Sequence, residues 1–458
     1  MMKLKNPYIS STLFFLLCLI VLCLPYRKMG AQSLLTPPLL FENKTVIKPA
    51  DTIRVTLSFA IDSLLEIKDE TNHLEPVFKV IDELSSGKDT LLTIVHLGDS
   101  HIQAGHFSGR MMRLLQQQFG NAGRGWISPF KLTRTNEPDD YFLRSSAKEW
   151  IAGRIIQRQK KTPIGPGGIG IKTISSSVNF DIVIAPNNGA GYEFNQAVLY
   201  RGDKSTPMLP AGSLKEFVTT SRSIETLAPR LVTDTFRISK QTDMFQLHST
   251  RRKPGTDTLL PESAFSNIYY GFSLSNSNPG ILYHAIGVNG AMYVNYTDHD
   301  FMQRLAVLKP DLLIVSLGTN ETFGTCFNER EFRQQIREFL HMVRLYIPNT
   351  KIVLTTPPEC YKRIRVNKKR TYVRNTNTQK AASAIRNQAK QENIAYWDLF
   401  GASGGRESYK KWYNGGYLGR DRIHYTKSGY QEQANLFFIS WMKTLSKRET
   451  TKQEETKE

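Results

Sequence analysis

The sequence predicts an α/β protein: a doubly wound parallel sheet with helices on both faces, interrupted by an inserted β-sandwich. Three observations carry that expectation. An apolar, β-branched run at Leu91–Leu97 breaks off at Gly98-Asp99-Ser100 and gives way to a helical pattern. After about Gly280, strand-like and helix-like segments alternate, the rhythm of parallel strands joined by crossover helices. Between them, from about Asp139 to Asn278, helical spacing fades and short β-like runs recur among Ser, Thr, Gly and Pro. A chain of 458 residues exceeds one ordinary core, and 40% hydrophobic with 10% aromatic content suits a globular protein.

Taken in order, residues 1–31 read as a secretory signal. Lys3 and Lys5 precede the apolar run Leu13–Leu24, Arg27 and Lys28 follow it, and Met29-Gly30-Ala31 offers a cleavage site that leaves Gln32 first. The run is short for a membrane span; an uncleaved anchor is the alternative, and only then is a membrane a partner. Cys18 and Cys23 fit a lipid-attachment signal poorly, because Leu22 stands where a small residue is expected. Residues 32–73, with Pro37-Pro38, read as an extended arm, and with residues up to 138 they make up the first part of the α/β domain. Glu75–Leu84 is a predicted helix, Leu91–Leu97 the first strand and Gly105–Phe119 a helix packing back on it. The insert, residues 139–278, carries β-like runs at Val178–Ile184, Ala197–Tyr200, Phe217–Thr220, Thr233–Ser239 and Phe245–Leu247. Residues 279–446 complete the α/β domain. Their predicted strands are Ile281–Ile286, Asp311–Leu317, Lys351–Thr355 and Ile394–Leu399; their helices are Asp300–Leu308, Glu329–Tyr346, Thr378–Glu392 and Ser428–Leu445. Residues 447–458 are charged, lack apolar side chains and read as a disordered tail.

The formal charge is +19. Cleavage of the leader removes four positive charges (Lys3, Lys5, Arg27, Lys28) and no negative ones, leaving about +15. Such a surface favours polyanions, yet no helix-turn-helix, zinc-finger or aromatic RNA-binding pattern accompanies it, and export argues against nucleic acid as a partner. Cys326 and Cys360 remain in the mature chain. In an oxidising compartment they are candidates for a disulfide if the strands before them are neighbours; two buried free thiols are the alternative.

Ser100 ends a buried strand, where open α/β sheets place their sites, and is a candidate nucleophile. A serine hydroxyl needs a base to take its proton, and a carboxylate-oriented histidine is the usual one. Asp421-Arg422-Ile423-His424, in the loop before the final helix, supplies both at a spacing that lets the carboxylate turn back onto the ring. Acyl transfer also needs donors for the developing oxyanion. Asn320 in Gly318-Thr319-Asn320-Glu321 and Gly290 in Gly287-Val288-Asn289-Gly290-Ala291 each follow a predicted strand.

Together these blocks resemble the SGNH (GDSL-like) hydrolase superfamily: Gly98-Asp99-Ser100, then Gly290, then Gly318-Thr319-Asn320-Glu321, then Asp421 with His424. The resemblance covers the α/β parts and implies a flavodoxin-like sheet. It assigns Ser100 as nucleophile, His424 as base and Asp421 as its orienter. The backbone N–H groups of Ser100 and Gly290 and the Asn320 side chain form the implied oxyanion hole. His101 replaces the usual leucine, Glu321 the usual aspartate, and Phe119-Gly120-Asn121-Ala122-Gly123-Arg124-Gly125-Trp126 is similar to sequences in the branch of bacterial peptidoglycan O-acetylesterases. That branch carries a carbohydrate-binding-like β domain between the first two blocks. The resemblance implies a periplasmic or secreted serine esterase removing O-acetyl groups from a cell-wall glycan, most readily peptidoglycan, with Asp99, His101 and Glu321 contacting substrate and with no metal or organic cofactor. A glycan O-acyltransferase on the same fold and a non-catalytic glycan-binding protein are the alternatives.

Other patterns compete. Gly401-Ala402-Ser403-Gly404-Gly405 satisfies G-x-S-x-G but comes where the sheet is nearly complete, so a glycine loop is expected. His96, His101 and His106 fall in a strand, a turn and a helix start, which argues against shared metal ligation. Asp298-His299-Asp300 reads as an acidic helix start. Arg110 and Arg113 read as a solvated helix face rather than as contacts to an acidic sugar.

Overall fold

The structure, a computed structural model, describes residues 57–455 apart from 148, 176, 186–190, 212–216, 225–228, 250–265 and 325. The predicted signal segment and most of the arm lie outside the described residues. Six strands form the central sheet in the order Ile67–Lys68, Ala395–Trp397, Lys351–Thr355, Leu312–Ser316, Leu91–Gly98, Gly280–Gly287. The first is an antiparallel edge; the other five are parallel. Leu92 to Gly98 are all buried, as in a strand covered on both faces. One helical layer groups Glu75–Ser85, His106–Phe119 and Lys427–Glu455; another groups Tyr293–Tyr296, His299–Leu305, Glu329–Tyr346 and Asn377–Gln391.

Counted along the chain, the five parallel strands lie in the order 2-1-3-4-5. The chain steps outward from Leu91–Gly98 to Gly280–Gly287, then crosses back to Leu312–Ser316. A crevice opens at such a reversal, outside the carboxyl ends of the strands. Ser100 follows one of the two strands at that point and Asn320 the other.

The residues between the first two parallel strands build two antiparallel sheets. One has seven strands, running from Phe217–Ile224 through Leu231–Thr242, Phe194–Gly202, Asn267–Ser275 and Ile169–Thr173 to Ile151–Arg154, with Gly125–Ile127 added to Asn267–Ser275. The other has four, Tyr141–Arg144, Asn179–Ile184, Met244–Ser249 and Met208–Pro210. Burial alternates strictly along Asn179–Ile184 and Met244–Ser249, so each turns one face inward. Phe180 of the smaller sheet meets Tyr269 and Phe272 of the larger at ring separations of 5.0 and 5.6 Å, and Phe245 meets Phe194 and Phe236. The Gly125–Ile127 strand lies before the predicted start of the insert. Buried Arg124, beside it, pairs through Nε with Asp140 at 2.7 Å.

Three sequence expectations need correction. The final helix runs to Glu455 instead of giving way to a disordered tail at 447. Arg448 anchors it, reaching Glu75 at 2.6 Å and Asp82 at 2.9 Å on the first helix. Cys326 and Cys360 are free. The strands before them are neighbours, as the pairing required, but Cys326 is exposed whereas Cys360 is buried against Thr378 and Asn375. Finally, a hairpin of Tyr361–Val366 and Lys369–Arg374 fills a stretch read without structure.

Candidate active site

Ser100 opens the short helix Ser100–Gln103, and Asp99 caps it by accepting from the His101 N–H at 2.9 Å. The helix sits tight on the neighbouring strand: a Cβ at Gly287 would lie 2.2 Å from the Gln103 nitrogen. His424 sits in the loop that Asp421 folds. Asp421 Oδ1 accepts from the N–H groups of Ile423 and His424 at 3.0 Å each, an Asx-type turn. Its Oδ2 faces His424 Nδ1 at 2.7 Å, and His424 Nε2 lies 2.9 Å from Ser100 Oγ. A carboxylate at Nδ1 favours the proton there, which leaves Nε2 to accept from the serine.

Partial burial works against ionising Asp421, yet the His424 hydrogen bond and the two N–H groups hold its carboxyl well below the usual range. The Asp421 hydrogen bond, opposed by desolvation, raises the His424 pKa above its ordinary 6.5. Both side chains stay near half exposed, at 44% and 50%, so solvent reaches the pair and weakens this coupling.

The oxyanion-side residues follow the two strands that flank the one leading to Ser100. Gly290 has φ +83°, a conformation that favours glycine. The backbone N–H groups of Gly290 and Ser100 have no acceptor among the described residues. The Asn320 amide donates to Asp99 Oδ2 and Ala291 O, both at 3.0 Å. Both of its protons therefore have partners, and donation to an oxyanion requires sharing one; the neutral Ala291 carbonyl is a weaker acceptor than a carboxylate.

Asp99, His101 and Glu321 were expected to touch substrate, and the structure places them behind the site. Asp99 is 1% exposed and holds Asn320; burial pushes its carboxyl up to about 7. The Glu321 carboxyl accepts from the Tyr293 N–H at 2.9 Å, and its other oxygen is buried without a partner. Burial, with Asp99 nearby, pushes it to about 7 as well. His101 is buried, bonded through Nδ1 to Tyr430 Oη at 2.9 Å, with its ring centre 5.4 Å from that of His424. Desolvation pushes His101 down to about 3, so it stays neutral beside the base. It packs the back of the His424 ring.

Sequence reasoning missed Gln103, Asn136 and Tyr430. Gln103 accepts from the Asn289 N–H at 2.8 Å and donates to the Asn136 carbonyl at 2.9 Å; Asn289 donates to Asn136 Oδ1 at 2.7 Å. These bonds fix the turn carrying Gly290. Glutamine three residues after Gly98-Asp99-Ser100 has no motif value, and only the short helix directs it there.

The competing patterns resolve structurally. Ser403 is fully buried and donates to the Phe400 carbonyl. His96 is bound by Tyr283 and Ser316, and Asp298 caps a helix by accepting from the Phe301 N–H. Arg110 bonds to Asn435 of the final helix and so is not simply solvated.

Residues 263–432 match the model of the GDSL-like lipase/acylhydrolase family, a span that includes Gly290, Asn320, Asp421 and His424. A solved peptidoglycan O-acetylesterase is similar to this protein over 83% of this chain and 99% of that one, with TM-score 0.63 and 20% identity. A GDSL-like lipase from Bacteroides thetaiotaomicron aligns over 36% of this chain and 76% of its own, at TM-score 0.27 and 19% identity. A carbohydrate esterase family 3 protein from Talaromyces cellulolyticus aligns over 42% and 77%, at 0.27 and 14%. No curated protein matches the chain. The fold shared with the O-acetylesterase bears out the SGNH-type α/β fold with its added β region, and the match of residues 263–432 to an acylhydrolase family supports a carboxylic ester hydrolase.

Proposed function

We propose that this protein is an exported serine esterase that removes O-acetyl groups from a cell-wall polysaccharide, with peptidoglycan as the substrate. The observation that carries the chemistry is the relay Ser100 Oγ to His424 Nε2 at 2.9 Å and His424 Nδ1 to Asp421 Oδ2 at 2.7 Å. Ser100 Oγ attacks the acetyl carbonyl while its proton passes to His424 Nε2; Asp421 stabilises the imidazolium. The unpartnered N–H groups of Ser100 and Gly290, with the Asn320 amide, hold the oxyanion. Its collapse expels the sugar alkoxide, which takes the proton from His424. Water, deprotonated by the same nitrogen, then releases acetate and restores Ser100.

Likeness of fold to a peptidoglycan O-acetylesterase supports the substrate, and the N-terminal apolar run flanked by lysine and arginine supports export to the periplasm or beyond. Acetate release from O-acetylated peptidoglycan and from acetylated xylan, by wild type and Ser100→Ala, tests both parts. The proposal expects release from peptidoglycan that is lost in the variant. Faster release from xylan would overturn the substrate, and release by the variant would overturn the nucleophile.

A further inference from the structure

The hairpin Tyr361–Val366 and Lys369–Arg374 is a two-stranded sheet of its own. Between Tyr361 and Arg374 it carries Lys362, Arg363, Arg365, Lys368, Lys369, Arg370 and Arg374, with no acidic residue. Arg374 lies 3.7 Å from the buried Glu359 carboxylate. The side chains of the other six have no ion pair or hydrogen bond among the described residues. Arg365 stands directly opposite Arg370 in the register, where like charges repel and weaken the strand pair. Such a pair is marginal alone, so this hairpin keeps a charge arrangement that works against its own folding.

Its base is built onto the loop that carries Asp421 and His424. The Tyr361 N–H donates to the Arg422 carbonyl at 2.9 Å, and Tyr372 Oη donates to the Arg420 carbonyl at 3.3 Å. The Arg422 guanidinium lies over the Tyr372 ring at 4.3 Å. Residues directly opposite in an antiparallel pair share a face. Arg363 and Arg365, with Arg370 and Tyr372 opposite them, therefore lie on the face against which Arg422 stacks. The three arginines are exposed. Strands of this length reach roughly 20 Å, so a row of guanidinium groups leads away from the candidate catalytic loop.

We propose that this hairpin docks the glycan polymer through carboxylates it carries away from the scissile ester, such as those of peptidoglycan stem peptides. This rests on the glycan-esterase reading above and narrows its substrate to an acidic polymer. Planar guanidinium forks match carboxylates, and several lead to a strand that extends past the site. A neutral acetylated glycan offers them no counter-charge.

The test is co-sedimentation with purified peptidoglycan sacculi, native or with carboxyl groups amidated, of wild type and the triple variant Arg363→Gln, Arg365→Gln, Arg370→Gln. The wild type is expected to bind native sacculi on the order of tenfold more tightly than the variant, and the two to bind amidated sacculi alike. Hydrolysis of a small neutral acetyl ester, equal in both, reports that the variant is folded. Equal binding of both proteins to native sacculi overturns the proposal, as does equal binding of the wild type to native and amidated sacculi. A loss confined to anionic phospholipid vesicles overturns it too and assigns the hairpin to a membrane. Acetate release is scored separately: a wild type that releases none from acetylated sacculi refutes the proposed function, while the binding comparison still judges the hairpin.

Discussion

At the scale of single residues, the account turns on which protons sit where. In the proposed mechanism His424 acts as a base only when neutral, so its raised pKa predicts that activity is lost as pH falls through a midpoint above 6.5. Asp421→Asn removes the interaction that raises it. The acid limb of kcat/KM should then move downward and turnover should fall by about 10⁴-fold, the cost of losing the orienting carboxylate elsewhere; an unmoved limb would separate Asp421 from the base. Asp99 makes a second prediction. Its Oδ1 accepts from the His101 N–H and its Oδ2 from the Asn320 amide, so Asp99→Asn leaves one of these donors facing an amide N–H and loosens the hold on Asn320. A fall in kcat of about 10²–10³-fold with KM little changed is expected, the usual effect of losing one oxyanion donor; a change in KM alone would return Asp99 to a substrate-binding role. The proposed site residues Ser100, Gly290, Asn320, Asp421 and His424 were legible in the sequence because each follows a predicted strand or precedes a helix at a fixed spacing. Asp99, His101 and Glu321 were legible as unusual residues but not as buried ones, because a motif does not say which way a side chain points. Gln103 and Tyr430 gave no signal, since their value lies wholly in contacts with residues far away in the chain.

Among the elements, those with long apolar periodicity matched their predicted bounds closely, Glu329–Tyr346 and Lys351–Thr355 to the residue. Charged elements were harder to read. The hairpin at Tyr361–Arg374 alternates cations with Ile364, Val366 and Val373, and its turn, Asn367-Lys368, has φ of 48° and 63°, the doubly left-handed geometry of a tight hairpin. Its charge concealed the period. The last helix misled for a related reason: residues 447–455 lack apolar side chains, but Arg448 holds two carboxylates of the helix Glu75–Ser85 with only 11% of its side chain exposed. Arg448→Ala should lower stability by about 1 kcal/mol, read as a small fall in Tm. An unchanged Tm would mean that the end of the helix contributes nothing to the fold.

Across the whole molecule, the same strand order that makes the sheet doubly wound places Ser100 and Asn320 on either side of its reversal, and the β region enters between the strands that deliver Ser100 and Gly290. The turn at Gly290 is therefore buttressed from both sides. Gln103 and Asn136 hold it through hydrogen bonds, and on the β side a Cβ at Gly168 would come within 3.1 Å of Val288. Fold class and the alternation of strands and helices were legible because patterning alone specifies them. That Gly125–Ile127 joins the larger β sheet was not, because the strand is three residues long and its partner lies far along the chain. All of this geometry serves one hydroxyl. The most direct test is the rate of hydrolysis of a small acetyl ester by Ser100→Ala beside wild type. The account predicts a loss of about 10⁴-fold or more, as when a catalytic nucleophile is removed; a variant that keeps even a tenth of the wild-type rate would contradict it.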